Sequence, residues 1–160
     1  MTRAAALALL LLPACAAAPA ARVPSRPVSL VLPALDGGAI NLASYRGRVV
    51  VLHFFATWDT VSTMDVDQLR AAAGDAEVIG VALDVDGRVL VAPWRDAMGV
   101  RYLIALATPA ILAGQTALGR IDKVPTTIVL DRHGVEIARV ERGLAPKELS
   151  TLIARARAQR

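Results

Sequence analysis

At 160 residues, with 55% hydrophobic, 20% charged and 4% aromatic residues, the chain is the size of one domain with a single substantial core, and alanine inflates its apolar share. A formal charge of +4 is scattered along the chain without interleaved aromatics, which speaks against nucleic-acid binding. The only cysteine is Cys15, so the chain by itself holds no dithiol.

The first residues, Met-Thr-Arg, lead into an apolar run from Ala4 to Leu12 and then Pro13-Ala14-Cys15, the pattern of an export signal over 1–14. Leu12-Pro13-Ala14-Cys15 also resembles a bacterial lipobox, in which the cysteine becomes the lipidated first residue of the mature protein. Ordinary cleavage after Ala16 or Ala18 is the alternative, and either outcome removes the Cys15 thiol from the folded domain. Lipidation would give an exported protein held at the membrane through Cys15 and facing the periplasm or the cell exterior. Residues 16–27, rich in alanine and proline, form a tether with no core of their own, and no later run is long enough to span a bilayer.

The domain, 28–160, begins with alternation in Ser29-Leu30-Val31-Leu32, a turn at Asp36-Gly37-Gly38 and a short Ala39-Ile40-Asn41-Leu42 segment. Arg48 to Ala56 holds a nearly unbroken apolar run, as expected for a central strand buried on both faces. Asp59 or a neighbour caps a helix to about Ala73, and Glu77 to Leu83 forms the next strand. A helix near Pro93 to Met98, a strand over Arg101 to Ala105 and a helix from Thr108-Pro109 to about Leu118 follow. Two strands, Thr126 to Leu130 and Val135 to Val140, then flank a hairpin turn at Asp131 to Gly134. Pro146 opens a final helix with Leu149, Leu152, Ile153 and Ala156 on one face. The arginines near its end, Arg155, Arg157 and Arg160, read as a solvated helix terminus or as a weak attraction to anionic lipid.

The segment GRVVVLHFFATWDTVSTMDVDQL, 47–69, resembles the active-site region of TlpA/ResA-type thioredoxin-like proteins, where a strand runs into Ala-Thr-Trp-Cys-x-x-Cys. The segment VPTTIVLDRHGVEIARVERG, 124–143, is similar to that family's cis-proline, hairpin and following glycine. The resemblance extends over 28–158 and implies an α/β thioredoxin-like fold, a central mixed sheet flanked by helices with an N-terminal β extension. Asp59 and Ser62 stand at the positions that match the two family cysteines. Neither a carboxylate nor a hydroxyl replaces a thiolate in disulfide exchange, and a peroxidatic cysteine is missing as well.

Asp59 reads as a helix cap or as a mimic of the thiolate charge, and Asp65 as a first-turn helix acid at a position where the family carries an acid. His53 falls where the resemblance places a buried acid beneath the cysteines, and is read as a core imidazole or as one of a polar group with Asp59 and Ser62. A Ser62, His53 and aspartate triad, or a metal on His53, Asp59 and Asp65, is conceivable by residue type, but proximity in sequence defines neither. His133 is expected to be exposed in its turn, and Trp58 either a lid on the core or a ligand surface.

In this family the residue before the cis-proline offers backbone groups to an extended substrate, so Val124, Pro125 and Thr126 with Trp58, Asp59, Thr60, Val61 and Ser62 make a candidate groove for a peptide or protein partner, unless Pro125 only fixes the turn into the next strand. The resulting expectation is a redox-inactive binding or scaffolding module of the bacterial cell envelope, with no metal or other cofactor. The alternative is a thiol-disulfide oxidoreductase-type protein that works with a cysteine-bearing partner.

Overall fold

The computed structural model describes residues 26–159. The export signal, Cys15 and residues 16–25 of the tether lie outside them. No helix among the described residues is long and apolar enough to cross a membrane.

A short hairpin comes first, β1 (Val31–Pro33) paired antiparallel with β2 (Ala39–Asn41). The main sheet follows, built from β3 (Val50–Phe55), β4 (Glu77–Ala82), β5 (Leu103–Leu106), β6 (Thr126–Leu130) and β7 (Glu136–Val140) in the spatial order β5-β4-β3-β6-β7. β3, β4 and β5 run parallel, whereas β6 and β7 are antiparallel to their neighbours. The result is the expected mixed sheet, and Leu35 N–H bonds Ile104 O at 2.9 Å to fix the N-terminal hairpin to its β5 edge.

The period of two in β3 sorts its side chains by face. Val50, Leu52 and Phe54 pack with Leu32, Ile40 and Leu42 from the hairpin region and with Ile111 of α4 (Pro109–Leu112). Val51 faces the other way, toward Leu69 of α2 (Val66–Ala72) and Leu149, Ile153 and Ala156 of α5 (Glu148–Ala158). Phe55 shares that second face and meets Val66 and, from α3 (Gly87–Ala97), Val91. The β3-to-β4 and β4-to-β5 crossovers step in the same direction, so crossovers of one hand put α2 and α3 on one face. All six residues of β3 are buried, and each fully buried apolar side chain is worth about 1.5–3 kcal/mol.

Three helices differ from expectation. The helix read as running from Asp59 to Ala73 is two pieces, α1 (Thr60–Met64) and α2, separated at Asp65. Its cause is tertiary: the Asp65 carboxylate accepts a hydrogen bond from Leu144 N–H at 3.0 Å, tying this turn to the loop before α5. The helix placed at Pro93 begins six residues earlier, at Gly87, and contains the proline. Val89 and Leu90 lie exposed within it, so an apolar periodicity could not reveal its first turns. α4 stops at Leu112, well short of Leu118, because Gly114 takes a left-handed φ of +69° and ends the helix.

At the hairpin between β6 and β7, Asp131 accepts from His133 N–H at 2.8 Å and Val135 N–H at 2.9 Å. Gly134 has a φ of +78°, and any Cβ there would meet the Arg46 guanidinium. That guanidinium in turn donates to Val28 O at 2.8 Å, which holds the start of the domain against this turn.

Candidate functional site

β3 ends at Phe55 and the chain turns through Ala56 to Trp58 into α1. Asp59 is the cap, with extended backbone and a carboxylate that accepts from Ser62 N–H at 2.6 Å. Replacing Asp59 with alanine is expected to cost about 1 kcal/mol in a denaturant titration, and asparagine is expected to restore most of it. The adjoining Thr57 is clamped to the loop after β4, since its backbone N–H and hydroxyl both donate to the Asp84 carboxylate, the hydroxyl at 2.6 Å. Asp84 escaped the sequence reading, although an acid immediately beyond a buried strand is a signal that could have drawn attention to it.

His53 lies mid-strand between Val51 and Phe55, on the face that α1 and α2 cover, and is 1% exposed. Its register partner on β6 is Thr127, whose hydroxyl meets His53 Nδ1 at 3.0 Å, with donor and acceptor set by the tautomer. Burial pushes the imidazole pKa down to about 4, against the opposing pull of the Asp59 carboxylate. The ring is therefore neutral at pH 7. The imidazole is thus a core group, held by the Thr127 hydroxyl.

Ser62 and Asp65, one helical turn apart, are also buried, at 1% and 2% exposure. Burial raises the Asp65 pKa, while the Leu144 N–H opposes that rise. Asp65, expected as a first-turn helix acid, is therefore a buried clamp between α1 and the loop before α5. His53 Nε2, Ser62 Oγ and Asp65 Oδ2 all lack hydrogen-bond partners among the described residues. Ser62 is not hydrogen-bonded to His53, so the arrangement is not a nucleophile-base pair. No three His, Cys, Asp or Glu side chains among the described residues are placed to hold a metal ion.

The Val124–Pro125 bond is cis, and the proline is buried beside the start of β6. Val124 is half-buried, and its N–H and C=O take part in no backbone hydrogen bond among the described residues. Thr126 is fully buried, its hydroxyl donating to Lys123 O at 2.7 Å, so its side chain does not face a ligand. Thr60 is exposed, and Val61 and Met64 present apolar surface. Trp58 is 74% exposed, which makes it surface and not a lid. Val85, next to the clamping Asp84, is 95% exposed, and Val89 and Leu90 extend the apolar surface along α3. The sequence reading missed these three because it placed the helix too late. His133 is exposed in its turn, at the far end of β6.

The profile of the AhpC/TSA family matches residues 19–137. Among solved structures, a DsbF homologue from Corynebacterium diphtheriae is similar at 25% identity, with a TM-score of 0.70 over 81% of this chain and 85% of that one. A secreted thiol-disulfide isomerase from Corynebacterium glutamicum matches at 22% identity and a TM-score of 0.70, covering 84% of each chain. A thiol:disulfide interchange protein of the thioredoxin family from Chlorobium tepidum matches at 22% identity and a TM-score of 0.69, over 86% of this chain and 98% of that one. No curated protein matches.

Proposed function

Since the chain belongs to the AhpC/TSA family, we propose that it is a thioredoxin-fold binding module of the bacterial cell envelope, docking an extended segment of a protein partner without thiol chemistry of its own. Trp58 and Val85, at 74% and 95% exposure, support this most strongly. The Thr57–Asp84 clamp links their two loops, so large apolar side chains without partners stand together at one end of the sheet. Val124, with its backbone groups free of internal hydrogen bonds, fits the edge of such a site, because strand addition needs an N–H and a C=O open to a second chain.

Asp59 and Ser62 occupy the positions where the TlpA/ResA-type motif carries its cysteines; Asp59 caps α1, and Ser62 is buried with its hydroxyl unpartnered among the described residues. Export and a lipid anchor at Cys15 belong to the same proposal, and the secreted relative from Corynebacterium glutamicum agrees with export. Replacing Cys15 with serine should then release the chain from the membrane fraction or block its processing.

A second reading has the chain join thiol-disulfide exchange beside a cysteine-bearing partner, and the likeness to thiol-disulfide proteins favours it. Capture of partners from envelope extracts tests the docking surface in either case. Trp58→Ser and Val85→Asp are each expected to reduce recovery of a specific partner by at least about tenfold, as loss of an interfacial anchor does. Unchanged recovery with both variants folded would contradict a docking role for this end of the sheet.

A further inference from the structure

The opposite end of the sheet has a different chemistry. β6 runs from Thr126, opposite Phe54, to Leu130, opposite Val50, so the Asp131–Gly134 turn lies about 20 Å from the Pro125 loop. Gly47 N–H donates to Arg132 O and Val28 N–H to Gly134 O, both at 2.8 Å, which brings the start of the domain to that turn. The end of α5 arrives there too, as Arg157 donates to the Asp75 carboxylate at 3.0 Å. Arg46, Arg132, His133 and Arg157 consequently line one open hollow with Pro27, and Arg48 adjoins it.

The carboxylates facing this group are few. Arg48 pairs with Glu77 and Arg157 with Asp75, each at 3.0 Å, and Asp131 is buried with its Oδ1 committed to the turn. Arg132 is exposed and has no carboxylate partner among the described residues, and Arg46 donates only to the carbonyls of Leu42 and Val28. Arg26 adds another exposed cation immediately before Pro27. At the Trp58 end, by contrast, Asp59, Asp84 and Asp86 stand against Arg88, while Arg120, Lys123 and Arg142 are paired with Asp122, Glu141 and Glu148. The molecule is therefore polarised along its strands.

We infer that the arginine-bearing end is a membrane-facing surface that rests on anionic lipid headgroups and turns the Trp58 end outward. The inference builds on the proposed anchor at Cys15, because the chain enters the domain at this end. Residues 16–27 can span at most about 40 Å even when fully extended, so an anchored domain stays near the bilayer. Each arginine near an anionic surface strengthens binding about fivefold, and the effect fades within a Debye length.

The test uses the full lipidated chain in phosphatidylcholine vesicles with or without phosphatidylglycerol. A fluorophore is placed at His133→Cys or Thr60→Cys, the thioether at Cys15 being inert to labelling, and a quencher is carried on the lipid headgroups. With phosphatidylglycerol at low salt, the label at position 133 should be quenched several-fold more than that at 60, and Arg132→Glu with Arg157→Glu should abolish the difference. Equal quenching of the two labels would overturn the inference. A chain that enters neither vesicle type would defeat the anchor alone. That same chain is then titrated with phosphatidylglycerol vesicles. Arg132→Glu should weaken binding by on the order of tenfold and Lys123→Glu should leave it unchanged. No binding, or equal loss in both variants, would overturn the charged surface itself.

Discussion

Lowering the pH from 7 to 4 is expected to remove about 3 kcal/mol of folding stability at His53 alone. The imidazole is 1% exposed and its folded pKa lies near 4, compared with 6.5 for the free side chain. Between those values the unfolded chain binds a proton that the folded chain refuses, so stability falls as pH drops through the window and levels off below it. Asp65 acts with the opposite sign, since its raised pKa makes the folded state the better proton binder above the usual carboxylate value. That contribution is common to the two chains being compared. His53→Gln should therefore lose about 3 kcal/mol less than the unaltered chain between pH 7 and 4, measured by urea titration at each pH. Parallel losses would mean that His53 is protonated without cost, which a buried ring with one hydroxyl partner does not permit.

Much of this arrangement is legible in the sequence, for reasons that differ by element. β3 declared itself because a six-residue run buried on both faces leaves no polar alternation to confuse it. The Asp59 cap was visible because the residue types that satisfy a first-turn N–H are few. The Asp65 break was not, since its cause is the N–H of Leu144, which is 79 residues away in sequence. Burial of His53 followed from its place in an apolar strand, yet its partner Thr127 is fixed by the register of β3 against β6, which local pattern does not encode. The apolar surface at Val85 to Leu90 was hidden for a related reason. Gly87 at the start of α3 and Pro93 within it are the two poorest helix formers, so local propensity places the helix too late.

Placing cysteines at both Asp59 and Ser62 is expected to create thiol-disulfide exchange at this site. The two positions are spaced i and i+3 at the first turn of α1, where unpaired backbone N–H groups and the helix dipole favour a thiolate. The Asp59→Cys, Ser62→Cys chain is expected to form an internal disulfide, seen as the loss of two hydrogens in intact mass. It should also accelerate reduction of insulin by dithiothreitol by on the order of tenfold or more. Either single variant should fail, because one thiol attacks and the second must resolve the mixed disulfide. A folded double variant that forms its disulfide but does not accelerate insulin reduction would show that the surrounding surface does not admit a disulfide-bearing polypeptide.

The same insulin assay on the unaltered mature chain tests most directly the proposal that this site binds without thiol chemistry. Its rate is predicted to equal that of the control without protein, and turnover above that control would contradict the account.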